Sequence, residues 1–272
     1  MLSTSGGVLQ RAAREKDDLE AFVPSGDEPG KGQAMTRWTM IADLRRCVGC
    51  QTCTAACKLT NATPPGVQWR RVLDMEFGTY PDVRRVFVPV SCQHCDEPAC
   101  MDVCPTTATK KRADGIVTID YDLCIGCAYC AVACPYQQRY RTVRPTFAYG
   151  EATEAEAQRF DEAKLAVATK CTFCVDRIDA GTAQGLTPGI DPEATPACVN
   201  SCITQALVFG DLDDPDSNVS KLLAQNQHFR MHEELGTGPG FFYLWNRQAA
   251  DPSPPLSPPL EREGNRTALH GA

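Results

Sequence analysis

The sequence predicts an α+β fold in which two similar modules interlock. Sixteen of the 272 residues are cysteines, and they fall into four groups between residues 47 and 202. The groups alternate between two spacing patterns in the order A-B-A′-B′, which is typical of an internal duplication. Short apolar segments with strand character lie next to the cysteine groups. We therefore expect short strand pairs and small helices around the cysteine loops, with flexible tails.

Groups one and three share one spacing pattern, and groups two and four share another. Groups one (residues 47–57) and three (124–134) have an aspartate four residues before the first cysteine, then Cys-x2-Cys-x2-Cys-x3-Cys. Groups two (92–104) and four (171–202) have a Cys-x2-Cys pair followed by Pro-Ala-Cys-x3-Cys. The middle gap of group two is four residues, whereas that of group four is much longer.

Regular elements are predicted mainly beside these groups. The longest helical pattern runs from Thr153 to Thr169, a segment rich in Ala, Glu and Gln with a weak apolar stripe. The stretch between Cys174 and Cys198 contains several glycines and prolines, so we predict an inserted loop there. Strands are predicted at Thr39–Ile41, Val86–Val90, Ile116–Ile119 and Ala206–Phe209.

Composition divides the chain into three parts. Residues 1–35 are polar and free of cysteine, which predicts a flexible N-terminal extension. Residues 36–246 carry all the cysteines and form the predicted folded domain. Residues 247–272 are proline-rich, which predicts a disordered tail. No apolar run of about 18 residues is present and no secretory signal is visible, so we expect a soluble or peripheral protein.

The charge balance excludes one class of function. A formal net charge of −7 and a pI of about 5.2 argue against nucleic-acid binding, which requires a basic surface. Basic runs occur at residues 110–112 and 139–144, and we expect them to be mainly solvated faces. The sequence contains no Rossmann glycine fingerprint, Walker loop or nucleophile–base pair, so no site for substrate chemistry is predicted.

The cysteine spacing separates three explanations for so many thiols: disulfides, structural zinc and iron–sulfur clusters. Without a secretory signal, disulfides are disfavoured. Zinc sites use two Cys-x2-Cys pairs separated by a longer loop, and group four alone fits that pattern. In the compact groups, three closely spaced thiolates suit one cubane cluster, and the fourth cysteine serves a neighbouring cluster. The spacing predicts iron–sulfur clusters, with a multi-zinc structural or interaction module as the alternative from another class.

The residue after the last cysteine of each group indicates how the groups pair. A bacterial two-cluster ferredoxin motif ends in Cys-Pro, and here only the groups ending at Cys104 and Cys134 do so. Groups two and three, adjacent in the chain, thus form a predicted inner module, and groups one and four form an outer module around it. A pairing of one with two and of three with four stays open, because the duplication also permits it. The crossed pairing predicts cluster 1 on Cys47, Cys50, Cys53 and Cys202, cluster 2 on Cys92, Cys95, Cys100 and Cys134, cluster 3 on Cys104, Cys124, Cys127 and Cys130, and cluster 4 on Cys57, Cys171, Cys174 and Cys198.

Three stretches carry a family resemblance: residues 114–136, residues 92–100 and residues 170–177. They resemble the four-cluster iron–sulfur (beta) subunits of molybdopterin oxidoreductases, such as dimethyl sulfoxide, thiosulfate and polysulfide reductases, sulfite dehydrogenases and phenylacetyl-CoA oxidoreductases. The resemblance covers roughly residues 38–213 and implies bacterial ferredoxin-like modules with the crossed pairing. In nitrate reductase relatives one cysteine is replaced, whereas all sixteen positions are cysteine here, which implies four [4Fe-4S] clusters.

The resemblance also implies a function. The chain would relay single electrons between a molybdopterin-containing catalytic subunit and a membrane anchor subunit with quinone, and it would not be catalytic alone. The alternative within this class is the beta subunit of a formate dehydrogenase or hydrogenase complex, and a stand-alone enzyme is the other class to be tested. The expected location is the periphery of the inner membrane. The cytoplasmic face is favoured over the periplasmic face, which co-export with a catalytic subunit would allow.

Three residues inside the cysteine loops have a predicted local role. His94 lies between two predicted ligands, and we expect it to act structurally or to tune the cluster potential rather than to ligate. Gly49 and Gly126 are expected to permit the tight turns of their loops.

Two further features have competing interpretations. Arg139, Arg141 and Arg144 either stabilise reduced clusters, face a partner or form a solvated face. The segment 236–246 places four aromatic residues within five positions. It is either a docking patch for a partner or a plug against the chain's own core.

Overall fold

The computed structural model of the chain describes residues 36–245. The predicted N-terminal extension and the predicted proline-rich tail lie outside the described residues. Short helices and small sheets alternate along this range, so the α+β prediction is confirmed. None of the helices in this range combines the length and the apolar character that crossing a membrane requires.

The regular elements are short except for one hairpin. In chain order the strands are β1 (Trp38–Asp43), β2 (Arg71–Thr79), β3 (Asp82–Val90), β4 (Thr109–Lys111), β5 (Val117–Ile119), β6 (Tyr140–Arg141), β7 (Ala168–Thr169), β8 (Leu207–Asp211), β9 (His228–Arg230) and β10 (Phe241–Leu244). The helices are α1 (Thr52–Asn61), α2 (Ala99–Asp102), α3 (Tyr129–Ala133), α4 (Glu154–Ala157), α5 (Val175–Ala183), α6 (Ala197–Asn200) and α7 (Asn218–Gln225), with 3-10 turns at Glu162–Lys164 and Glu233–Leu235. The four predicted strands correspond to β1, β3, β5 and β8, with ends that differ by a few residues.

A four-stranded sheet in the order β8-β1-β10-β9 forms the centre of the core. Strand β1 runs antiparallel to β8 and parallel to β10, and β9 runs antiparallel to β10. Both faces of this sheet are covered, so Met40, Ile41, Phe241 and Tyr243 are all fully buried. The segment 236–246 therefore packs into the chain's own core through β10. Its alternative interpretation as an exposed docking patch is wrong.

Two strand pairs position the cysteine groups. Strand β1, which leads into group one, pairs antiparallel with β8, which follows group four. Strand β5, which leads into group three, pairs antiparallel with β4, which follows group two. The amide of Asp43 donates to the carbonyl of Ala206 at 2.7 Å, and that of Asp120 donates to the carbonyl of Ala108 at 2.8 Å. Each aspartate lies four residues before a cysteine and each alanine four residues after one, so the sequence repeat has a matching structural repeat.

The hairpin β2–β3 brings one arginine into the core. Its base pairs Arg71 with Val90, and its tip pairs Thr79 with Asp82. The base is buried, with Val90 2% exposed, while the tip is exposed. Arg70 immediately precedes the buried base and is itself 1% exposed.

The predicted helix from Thr153 to Thr169 is wrong. These residues form the single turn α4, which has a capping box between Thr153 and Glu156, then a 3-10 turn and then β7. Residues 151–159 are almost entirely exposed, so a longer helix would bury no apolar face there. Helix propensity alone rarely sustains a long helix in water, and the end of the segment instead pairs with β6.

The predicted loop between Cys174 and Cys198 is wrong in its first half, which forms helix α5. Ile178 of this helix is 1% exposed and packs in the main core. Gly181 lies where α5 passes close to Ala194, so this glycine reflects tight packing rather than a loop.

Candidate metal centres

The loops of groups one and three follow the same backbone path. Gly49 and Gly126 have φ values of +68° and +65°, and the residues two places further, Gln51 and Ala128, are also left-handed. Glycine adopts this conformation with little cost, as the sequence predicts for both positions. Helices α1 and α3 begin directly after these turns. The third cysteine of each group therefore lies in a first helical turn.

Four cysteine thiols border each of two small cavities. One cavity, here called set 1, is lined by Cys47, Cys50, Cys53 and Cys202. The other, set 3, is lined by Cys104, Cys124, Cys127 and Cys130. Each combines three cysteines of one compact loop with the last cysteine of another group, because the strand pairs β1–β8 and β4–β5 bring those groups together.

The other eight thiols form two further sets. The pKa of Cys57 is raised by burial and by the thiolates of the three other members of set 4, which are Cys171, Cys198 and Cys174. The pKa of Cys95 is raised to about 12 by burial and by the other members of set 2, which are Cys92, Cys100 and Cys134. The structure thus brings together the same four sets of residues that the sequence predicts, and ligation by each set stays a prediction.

Every cysteine thiol in the chain is free of disulfide bonds, and burial opposes its ionisation at many positions. Burial raises the pKa of Cys53 and Cys174 to about 11 and that of Cys171 to about 12. A thiol must lose its proton to ligate a metal. Nearby positive charge must therefore stabilise the thiolates, and it can come from bound metal and from buried cations. Within residues 36–245, no three or more His, Cys, Asp and Glu side chains are arranged to hold a single ion.

Three cationic side chains lie in the interior among the cysteines: Arg70 is 1% exposed, Lys170 0% and Arg139 6%. Arg139 Nη2 donates to Cys100 Sγ at 2.7 Å, and Arg70 Nη2 lies 3.8 Å from Cys198 Sγ. Arg70 Nε and Nη1 are buried and have no hydrogen-bond partner in the described part of the chain. Donors of this kind need acceptors that the polypeptide does not supply. The sulfides of an iron–sulfur cluster are such acceptors, so the residues present fit that group.

The two basic runs differ in their environment. Arg139 is buried, so its interpretation as a solvated face is wrong, whereas Arg141 and Arg144 are exposed. The run 110–112 is paired with carboxylates, as a solvated face allows. Its ion pairs are Lys110 with Asp120 at 3.2 Å, Lys111 with Asp96 at 3.2 Å, and Arg112 with Asp179 at 2.7 Å and with Asp114 at 2.9 Å.

His94 is held by the surrounding protein. Its Nδ1 accepts a hydrogen bond from the amide of Val117 at 3.1 Å, and its ring stacks on Phe173 with 3.8 Å between ring centroids. Burial, together with the charges of Lys170 and Arg139, lowers its pKa well below the usual value. The imidazole is therefore neutral, and its contacts agree with the predicted structural role.

Known proteins share these motifs. Residues 83–148 match the family described as "4Fe-4S dicluster domain". The chain is 40% identical to the B-type subunit of selenate reductase from Mesobacillus selenatarsenatis, over 76% of this chain and 72% of that protein. It is 38% identical to the B-type subunit of sulfite dehydrogenase from Allochromatium vinosum, over 79% and 85%. It is 36% identical to the iron–sulfur subunit of arsenate respiratory reductase from a Shewanella species, over 76% and 96%. The chain belongs to this family of iron–sulfur subunits.

The family confirms the resemblance that the sequence motifs indicate. An iron–sulfur subunit of this kind carries [4Fe-4S] clusters and transfers electrons within an oxidoreductase complex, and it is not catalytic alone. The dicluster match contains the eight cysteines of groups two and three. The iron–sulfur subunit has the other eight in groups one and four, outside the matched region.

Proposed function

We propose that this iron–sulfur subunit relays single electrons through four [4Fe-4S] clusters, between a molybdopterin-containing catalytic subunit and a membrane anchor subunit with quinone. The observation that carries the proposal is the convergence of sixteen thiols into four sets of four. Each cluster, when bound, takes up and releases one electron. Relatives named as subunits of selenate and arsenate reductases and of a sulfite dehydrogenase support a catalytic partner.

The four sets follow one another through the protein in the order 1, 4, 2, 3. Cys53 of set 1 lies close enough to Cys198 of set 4 for the two thiolates to repel each other. Cys171 of set 4 interacts in the same way with Cys92 of set 2. Arg139 lies within reach of thiolates from both set 2 and set 3. This order supports a linear relay with one terminal set at each end.

Both terminal sets are accessible from outside. Cys50 of set 1 and Cys127 of set 3 are exposed, whereas sets 4 and 2 contain no exposed cysteine. Exposed apolar side chains accompany the terminal thiols, and such patches are typical of protein interfaces. They are Val48 (55% exposed) and Ile203 (70%) at set 1, and Ile125 (65%), Tyr129 (63%) and Val132 (87%) at set 3. We assign one redox partner to each end.

The domain arrangement belongs to the same proposal. An inner ferredoxin-like module would comprise groups 92–104 and 124–134, and an outer module would comprise groups 47–57 and 171–202, within a domain that spans residues 36–246. The matching strand pairs β4–β5 and β1–β8 support this division. The dicluster family match over residues 83–148 supports the inner module as a unit.

Anaerobic purification of the full chain tests the proposal. Metal and sulfide analysis should give near sixteen irons per chain, since each cubane holds four, and negligible zinc. A low-temperature EPR redox titration should resolve four one-electron centres. Fewer than about twelve irons per chain would overturn the four-cluster proposal. A colourless, zinc-loaded protein would favour a zinc module, and substrate turnover by the isolated chain would favour a stand-alone enzyme.

A further inference from the structure

Arg70, Lys170 and Arg139 are unusual because they are buried cations without buried anions from the protein. None of the three forms an ion pair with a carboxylate of residues 36–245. An unpaired buried charge is strongly destabilising. Their retention in the core therefore requires negative charge from another source. The thiolates and clusters of the four sets are that source if the proposed function is correct.

Arg70 lies between set 1 and set 4. Its Nη2 is 3.8 Å from Cys198 Sγ of set 4, and the next strongest thiolate fields on its guanidinium come from Cys171, Cys53 and Cys57. Cys53 belongs to set 1. The guanidinium also lies over the ring of Phe241 at 5.1 Å, which fixes its position. Its two unpartnered donors, Nε and Nη1, remain available to this junction.

Arg139 lies between set 2 and set 3. Its Nη2 donates to Cys100 Sγ of set 2 at 2.7 Å, and its Nη1 donates to Thr109 Oγ1 at 3.2 Å. Thr109 begins strand β4, which follows the last cysteine of group two, a member of set 3. The thiolates that act on Arg139 include Cys92 of set 2 and Cys130 of set 3.

Lys170 lies between set 4 and set 2. Its Nζ donates to the carbonyl of the next residue, Cys171 of set 4, at 2.8 Å, and to the carbonyl of Val117. The thiolate fields that act on it come from Cys92 and Cys100 of set 2 and from Cys171. The three cations thus lie at the three consecutive junctions of the order 1, 4, 2, 3.

We propose that each junction between neighbouring clusters contains one buried cation, which stabilises the extra electron on either side. An added electron makes a cluster more negative, and two adjacent reduced clusters repel each other in a low-dielectric interior. A fixed cation at the junction raises the reduction potentials of both neighbours and decreases this repulsion. Arg70 and Arg139 add N–H···S hydrogen bonds, which act in the same direction. The proposal rests on the four-cluster function.

Charge-removing substitutions in the full chain test this inference. Arg70→Gln, Lys170→Met and Arg139→Gln remove one cation each, whereas Arg70→Lys and Arg139→Lys retain the charge. Arg144→Gln is the matched control, because Arg144 is exposed. Each variant is purified anaerobically, its iron content is measured, and the potential of each cluster is determined by EPR-monitored titration.

The expected pattern is local. For Arg139→Gln, the reduced-to-oxidised ratio of clusters 2 and 3 at a fixed potential should fall about tenfold, equivalent to about 59 mV for a one-electron couple. Clusters 1 and 4 should be unaffected. Arg70→Gln should affect clusters 1 and 4, and Lys170→Met clusters 4 and 2. The arginine-to-lysine variants should keep most of the wild-type potential. Unchanged potentials at full iron content, or equal changes in all four clusters, would overturn the inference.

A measurement on the wild-type chain covers variants that fail to load iron. Protein grown with 15N-arginine should show guanidinium nitrogen hyperfine couplings in pulsed EPR of the reduced clusters beside Arg70 and Arg139. Absence of these couplings in both regions would exclude the proposed hydrogen bonds and overturn the inference. The wild-type iron content and the number of EPR centres test the proposed function separately, so that failure of one proposal can be distinguished from failure of the other.

Discussion

The backbone at Gly126 passes so close to Ala166 that a Cβ atom on Gly126 would lie 1.9 Å from the Ala166 carbonyl oxygen. Gly126 also has a φ of +65° and lies between Cys124 and Cys127. The carbonyl of Ala166 cannot retreat freely, because it accepts a hydrogen bond from Arg141 Nε at 3.0 Å. This contact joins the group-three loop to the segment that leads into group four.

Gly126→Ala should therefore damage set 3. Overpacking costs about 1–3 kcal/mol, and the left-handed backbone adds about 1 kcal/mol for a residue with a Cβ atom. We expect lower iron content and a lower melting temperature, measured by metal analysis and calorimetry. Gly66→Ala is the control, since its φ is +80° but nothing lies within 4 Å of a Cβ atom there. Equal effects of the two substitutions would show that backbone strain, and not the Ala166 contact, is responsible.

Gly181→Ala should lower stability although it places alanine in a helix. Alanine is usually preferred over glycine in helices by about 0.8–1.0 kcal/mol. Here the new Cβ atom would lie 2.3 Å from Ala194 Cβ, and Ala194 is fully buried. Overpacking of about 1–3 kcal/mol outweighs the helix preference, so the melting temperature of the cluster-loaded chain should fall.

The swap Gly181→Ala with Ala194→Gly provides the control for that substitution. It restores space at the contact between α5 and the segment before α6, and it should recover part of the lost melting temperature. A single Gly181→Ala variant that is more stable than wild type would contradict the proposed contact.

The cysteine groups and their neighbouring strands could be predicted because local spacing encodes them. The strand β1, the aspartate Asp43 and the turn at Gly49 all lie within ten residues of group one, so short-range patterns describe them. Arg70 could not be found in this way, because it reaches the thiolates of sets 1 and 4 only through the tertiary position of β2. Composition predicts a helix after Thr153, although no packing partner supports a longer helix there.

Cys57→Ser tests the crossed pairing directly. Cys57 follows Cys53 by one helical turn, but its neighbouring thiols are those of set 4. We expect the substitution to convert or remove cluster 4 and to leave cluster 1 unchanged, as observed by EPR and iron analysis. Cys174→Ser should alter the same EPR signal, because Cys174 belongs to set 4. Cys53→Ser should alter a different signal. If Cys57→Ser and Cys53→Ser affect the same cluster, the crossed pairing is wrong.

Val132→Asp tests whether set 3 faces a redox partner. Val132 is 87% exposed and lies in α3 beside Cys130 and Cys134, so an aspartate there should not disturb the fold. A charge buried at an interface without a partner costs several kcal/mol. We therefore expect electron exchange with the partner at this end to fall at least about tenfold, equivalent to a loss of about 1.4 kcal/mol in binding. Iron content and cluster potentials should be unchanged.

The control is Val83→Asp, which places the same charge near the tip of the β2–β3 hairpin, where Val83 is 40% exposed. Stopped-flow reduction of the clusters within the whole complex, started from the catalytic side and then from the quinone side, gives two rates for each variant. Because the relay is linear, Val132→Asp should slow one of these rates and leave the other unaltered, whereas Val83→Asp should change neither. If Val132→Asp and Ile125→Asp both leave the two rates unchanged, electrons do not enter or leave through set 3, and the exposed apolar residues around Cys127 have another role.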